Sequence, residues 1–312
     1  MQDIKEMRQV YCNSLIEMAQ TNPNIVVVEA DLMKCIQTEA FKKAYPERFF
    51  DVGIAEANMI GISAGLATCG KIPFCSSFAT FATRRCYDQI FISVAYSKQN
   101  VKIVGTDPGI AAEINGGTHM PFEDMGIMRN IPDMVCIEPT DATMLASLMP
   151  QITNYKGAVY LRIFRKKCEQ VFAEGTTFDM FKAAKIRDGK DVAIVCSGIM
   201  VSRAIAAADI LASEGISATV LNTFTWKPID EQAIVDCAQQ CGAIVTCENH
   251  NVHNGLFSAV AEVVVRNRPV PMESVAVNDK FGEVGKMPFL SEKFNLTTND
   301  IVLAAKKAIS KK

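Results

Sequence analysis

Five short apolar runs punctuate the first half of the chain: Ile25–Ala30 (IVVVEA), Lys71–Ser77 (KIPFCSS), Val101–Thr106 (VKIVGT), Met134–Pro139 (MVCIEP) and Ala158–Ile163 (AVYLRI). They are rich in β-branched residues and lie about one helix's worth of chain apart. That rhythm predicts a parallel sheet with crossover helices. Polar residues collect just after the runs: Asp31, Ser76 and Ser77, Asp107, Thr140 and Asp141, and Arg165. Open α/β sheets take their ligands at those carboxyl ends. From Thr176 to Lys190 the chain turns polar and charged, and beyond it DVAIVCSG, SATVLNTFTW, GAIVTCEN and ESVAVND again alternate with helical patterns. The expectation is α/β throughout: two doubly wound sheet domains over residues 1–175 and 190–312, the second smaller, joined by a linker at 176–189.

Composition narrows the class. The 312 residues suffice for about two domains. A net charge of −2 and a pI near 6.0 leave no basic field to attract nucleic acid or an anionic membrane. No run approaches the length of a membrane span, and the start MQDIKEMRQVYCN lacks the apolar core of a signal peptide. The 11 cysteines are scattered, several of them inside strand-like runs (Cys136, Cys196, Cys247). They read as reduced thiols of a cytoplasmic protein, used as small hydrophobes. Cys237 and Cys241 stand four apart with His250 and His253 downstream, yet no second cysteine pair completes a zinc set. No metal ligand is assigned.

The most informative stretch is FDVGIAEANMIGISAGLATCGKIPFCSSFATFATRRCYDQ, residues 50–89. It places Glu56 at the mouth of a small-residue helix. One strand later come Phe78 and Phe81, three apart, and then Arg84, Arg85 and Tyr87. A carboxylate at a helix start followed by an aromatic clamp can hold and protonate a flat heteroaromatic ring. The bland alternatives are a carboxylate favoured at a helix N-terminus and two phenylalanines packed in a core. Familiar nucleotide signatures fail. There is no GxGxxG, and Gly65-x-x-x-x-Gly70-Lys71 carries Ile72 where a magnesium-binding hydroxyl belongs, in helix-to-strand order.

The segments GIAEANMIGISAGLA, SSFATFATRRCYDQI, GGTHMPFEDMGIMRNIPDM, VYLRIFR, TFTWKPID, VTCENHNVHNGLFSAVAEVV and NDKFGEVGK together resemble the C-terminal half of transketolase, and specifically the short subunit of its two-chain form. The resemblance runs nearly end to end. It implies a domain binding the pyrimidine ring of thiamine diphosphate, followed by the transketolase C-terminal domain that supports a dimer. It places the diphosphate and Mg2+ on a sister module whose signature is GDG followed by paired asparagines. No GDG occurs here. The expected partner is therefore a separate N-terminal transketolase subunit, in an α2β2 heterotetramer with self-association of this chain.

The same resemblance assigns residues. Glu56 would bond a pyrimidine nitrogen, favouring the imino tautomer whose exocyclic nitrogen takes the proton from the reacting carbon. Phe81, with Phe78, would form the stacking wall, and Arg84, Arg85 and Tyr87 would line the site or the dimer contact. His119, in the glycine-flanked GGTHM, would stand near the reacting carbon, and Asp31 would reach cofactor or partner. Arg8 and Arg165 match arginines that hold the distal phosphate of the sugar. Three positions depart from the pattern. Asp107 stands where a phosphate-contacting histidine is expected, Lys34-Cys35 replaces a small residue and serine, and Asn115 replaces an aspartate that reads a substrate hydroxyl. These departures put ordinary pentose-phosphate substrates in doubt and point to an unusual or differently charged sugar. His250 and His253 read as solvated or interface histidines.

The expected activity is transfer of a two-carbon ketol unit from a ketose to an aldose, in the carbohydrate chemistry to which the pentose phosphate route belongs. The rivals are the β subunit of a 2-oxoacid dehydrogenase, a deoxyxylulose phosphate synthase, and a non-catalytic scaffold or regulatory subunit that kept the fold.

Overall fold

A computed structural model describes residues 5–312; the first four residues, where the expected first domain and the charged N-terminal stretch begin, lie outside the described residues. The chain divides into two compact units, residues 5–108 with 127–180, and residues 109–126 with 181–312. The segment 109–126, inside the stretch expected to be the first domain, thus packs with the second unit.

In the first unit the strands are β1 (Ile25–Glu29), β2 (Phe49–Asp51), β3 (Ile72–Phe78), β4 (Lys102–Thr106), β5 (Val135–Ile137) and β6 (Val159–Ile163). They pair in the order β5-β6-β4-β3-β1-β2, every pair parallel. Strands β1, β4, β5 and β6 are buried at every position, because crossover helices cover a parallel sheet on its faces. Helix Met7–Thr21 packs on helix Ala142–Asn154, and helix Glu56–Thr68 lies on β3. The expected runs coincide with β1, β3, β4, β5 and β6. Strand β2 escaped the pattern because its three residues, FFD, are one buried and two exposed.

The strand order fixes where a ligand belongs. β1 leads outward to β2 while its other neighbour, β3, leads the opposite way to β4. The carboxyl ends of β1 and β3 therefore flank a topological switch point, where the outgoing loops part and leave a crevice.

The second unit carries β7 (Ala184–Arg187), β8 (Val192–Cys196), β9 (Ala218–Asn222), β10 (Thr225–Lys227), β11 (Ile244–Asn251) and β12 (Met272–Val277). Its sheet runs β12-β11-β8-β9-β7, parallel except for the antiparallel edge β7. The polar stretch 176–189, expected as a linker, therefore contributes a strand. An edge strand covered on one side needs no apolar run, and AKIR has none of its four residues buried.

Asp141 shows what some strand-end polar groups do. It is buried after β5, where Oδ1 accepts from Met144 N at 2.9 Å and caps helix Ala142–Asn154. Its Oδ2 accepts from Val171 N at 2.9 Å and Phe172 N at 2.8 Å. Asp141→Ala strands three backbone donors, and the expected loss is about 2–4 kcal/mol, read as a lowered unfolding midpoint. An unchanged midpoint would contradict this assignment.

Candidate active site

Glu56 is the first residue of helix Glu56–Thr68, and its side chain is 3% exposed. A carboxylate there is favoured by the helix dipole. Its two oxygens accept from a single nitrogen, Nη1 of Arg85, at 3.0 Å (Oε1) and 2.9 Å (Oε2). The guanidinium that donates these bonds lies against Phe81, with Cζ 4.0 Å from the ring centroid. The Arg85 side chain is 47% exposed, so the planar cation can move into solvent where another partner takes its place on the buried Glu56.

The contacts extend to the other end of the crevice. Phe78 ends β3 and meets Phe81 at a centroid distance of 6.3 Å and an interplanar angle of 51°. Arg165, just past β6, lies 5.6 Å from the Phe78 centroid. It pairs with Asp107, just past β4: Nε donates to Oδ1 at 3.1 Å and Nη2 lies 2.7 Å from Oδ2. Burial pushes the Asp107 carboxyl up, against the opposing pull of Arg165. The Arg165 Nη1 also donates to Cys35 O at 3.4 Å, and Arg8 Nη1 donates to the same carbonyl at 2.8 Å. Arg8 Nε is held in turn by Glu6 Oε2 at 2.7 Å, and the bond from Arg8 holds the Glu6 carboxyl below the usual range. Glu56, Arg85, Phe81, Phe78, Arg165, Asp107 and Arg8 thus form one continuous set of contacts at the carboxyl end of the first sheet.

Other expected residues stand apart from that set. Asp31 is exposed in a left-handed conformation (φ 60°), with its backbone N donating to Asp51 Oδ1 at 3.0 Å. Lys34 is exposed and lines a cavity with Gln9, Asn13, Gln37 and Lys43. Arg84 donates to Thr80 Oγ1 at 3.0 Å, and Tyr87 accepts from Asn130 Nδ2 at 3.4 Å. His119 and Asn115 belong to the second unit. His119 ends the short turn Gly117–His119, with Nδ1 2.9 Å from Thr118 Oγ1, and Asn115 is exposed.

One expectation changes. His250 is not solvated: it is fully buried, edge-on to Trp226 at 5.6 Å, and bonded to backbone at both ring nitrogens. His253 is exposed. Cys237 and Cys241 lie buried in helix Glu231–Cys241, with burial pushing the Cys237 thiol up to about 12. Among the described residues no helix is long and apolar enough to cross a membrane.

Sequence reading missed Glu29, the last residue of β1. It is fully buried, Thr38 Oγ1 donates to Oε1 at 2.7 Å, and Oε2 has no hydrogen-bond partner. Beside it in register stands Ser76, bonded to the Tyr11 hydroxyl at 2.8 Å. The available signal was a single acid ending an otherwise apolar run.

Proteins of a known class share this sequence and fold. The family described as "Transketolase, pyrimidine binding domain" matches residues 4–170, and "Transketolase, C-terminal domain" matches residues 181–301. The chain belongs to the transketolase family, and membership implies dependence on thiamine diphosphate. It is 49% identical to the 6-deoxy-6-sulfo-D-fructose transketolase subunit SqwH of Clostridium sp. (strain MSTE9), over 98% of this chain and 95% of that protein. It is 32% identical to the transketolase of Rattus norvegicus, over 97% of this chain and 49% of that protein. A solved structure described as "Split gene transketolase, inactive beta4 tetramer" superposes with a TM-score of 0.91 at 43% identity, covering 98% of this chain and 99% of that one.

Desolvation raises the Glu29 pKa from the ordinary 4.5 to about 8. Between those values the folded chain holds a proton that the unfolded chain has released, so stability falls as pH rises from about 4.5 towards 8. Glu29→Gln removes that slope. Its stability relative to the parent is expected to rise across the window in denaturant unfolding at a series of pH values. A difference that does not vary with pH would refute the assignment.

Proposed function

We propose that this chain is the pyrimidine-gripping subunit of a thiamine-diphosphate-dependent ketol transferase, with diphosphate and Mg2+ held by a second polypeptide. One observation carries the reading: a flat, nitrogen-rich donor, the Arg85 guanidinium, is seated on the Phe81 face and on both Glu56 oxygens. An aminopyrimidine ring is also flat and rich in nitrogen, so the acid and the phenyl face fit it. Glu56 and Phe81 would hold the ring, with Phe78 extending the wall and Arg85 giving way to solvent. When bound, the cofactor supplies the nucleophilic carbon and the electron sink for the two-carbon unit. Glu56 would act as the positioned acid at the ring nitrogen, and His119 would supply a donor and acceptor for the reaction.

The division between two chains is supported by the relatives. SqwH, matched over 95% of its length, is called a subunit, whereas rat transketolase extends to about twice the matched length. The structural neighbour is described as an inactive tetramer of β chains. An α2β2 assembly with self-association of this chain accords with both.

At the sugar's distal end, each candidate arginine already carries a carboxylate, Glu6 on Arg8 and Asp107 on Arg165. Each carboxylate offsets the charge of its arginine, which weakens the hold on a phosphate dianion more than on a single negative charge such as a sulfonate. The name of SqwH points to a sulfonated ketose as its own substrate.

Three outcomes are expected, judged against the parent chain assayed with its diphosphate-binding partner. Glu56→Gln should lose roughly 10²–10⁴-fold in turnover, and this chain without the partner should show none; activity of the variant within a few-fold of the parent would contradict the role of Glu56. A 6-sulfo-ketose donor should also give a higher kcat/KM than its 6-phosphate counterpart, and the reverse preference would overturn the charge argument.

A further inference from the structure

The second sheet has its own switch point. β8 leads to β9 on one side while its other neighbour, β11, leads to β12 on the opposite side, so a crevice opens at the carboxyl ends of β8 and β11. Open sheets place a ligand there. Here the end of β11, the sequence Glu248-Asn249-His250-Asn251, grips a piece of the chain itself. Glu248 caps helix Leu256–Asn267, accepting from Phe257 N at 2.8 Å. The next three residues all bond to segment 109–126, which carries His119 within it.

Asn249 holds the beginning of that segment. Its Oδ1 accepts from Ile110 N at 3.0 Å. Gly109 lies directly against the amide: a Cβ there would stand 2.2 Å from Oδ1, and φ is +53°. Glycine is therefore required twice over, for the close approach and for the left-handed backbone. His250 holds the end of the segment, its Nε2 accepting from Gly126 N at 3.2 Å. Its Nδ1 lies 2.8 Å from Asn251 O, which assigns the ring proton to Nδ1 and leaves Nε2 as the acceptor. Between them Asn251 N donates to Phe122 O at 2.8 Å, and Glu113 Oε1 accepts from Met287 N at 3.0 Å. The two ends of the segment are thus fixed from consecutive residues of one strand.

We propose that Asn249 and His250 are positioning residues for the reaction: they fasten both ends of the 109–126 segment and thereby fix where His119 stands. The inference rests on the reading of His119 as an active-site group. It gives the C-terminal domain a part in the chemistry through the loop it holds. It also accounts for a histidine buried among protein groups at the end of a strand. The proposal assigns their effect to His119, the candidate catalytic residue that the segment carries.

Two measurements on the chain assembled with its partner subunit test this. In hydrogen exchange, Asn249→Ala and His250→Ala should each speed exchange in 109–126 by roughly tenfold or more, with the rest of the chain unchanged. Asn249→Asp, which keeps an oxygen acceptor, should restore protection. In turnover, Asn249→Ala should lower kcat by about 10- to 100-fold with a smaller effect on KM, and should cost nothing further once His119→Ala is present. Unchanged exchange across 109–126, or losses that multiply in the double variant, would overturn the proposal. Should one alanine variant fail to fold, the other carries the same test. An inactive parent complex with the segment still pinned by Asn249 and His250 would instead count against the proposed function.

Discussion

The contact on which the site turns is a carboxylate and a phenyl face converging on one flat cation. Glu56 is almost wholly buried, and burying a carboxylate without partners is costly. Arg85 offsets that cost through one nitrogen bonded to both oxygens, while its guanidinium covers Phe81. Because that guanidinium is half in water, the arrangement defines a place for a planar donor without locking it shut. A pyrimidine ring of that shape would take the place of Arg85 with a proton shared between Glu56 and its ring nitrogen, so the acid would keep a partner.

That convergence is a product of topology. Glu56 follows β2, Phe78 ends β3, Asp107 follows β4 and Arg165 follows β6, so residues spread over more than a hundred positions meet at one edge of a parallel sheet. The same rule operates in the second unit with a different occupant. There the strand ends hold chain instead of ligand, and the loop so held carries the one candidate catalytic residue that the first unit does not supply.

Much of this was legible in the sequence. Buried parallel strands are continuous apolar runs rich in β-branched residues, so β1, β3, β4, β5 and β6 stood out. Glu56, Phe78 and Phe81 stood out because an acid before a small-residue helix and two phenylalanines three apart are uncommon together. What stayed hidden was pairing. No spacing rule says that Arg85 reaches back 29 positions to Glu56, or that Asp107 satisfies Arg165. The partners of His250 were equally invisible, since a histidine at a strand end looks the same whether it meets water or the amide of Gly126. Strand β7 was hidden because an edge strand with one covered face needs no apolar run.

The most direct test is a structure of the assembled two-chain enzyme with thiamine diphosphate bound, read at a single distance. A Glu56 oxygen is expected within about 2.6–3.2 Å of a pyrimidine ring nitrogen, with the ring over Phe81 and Arg85 displaced. A complex in which Glu56 stays on Arg85 while the pyrimidine lies elsewhere would contradict it.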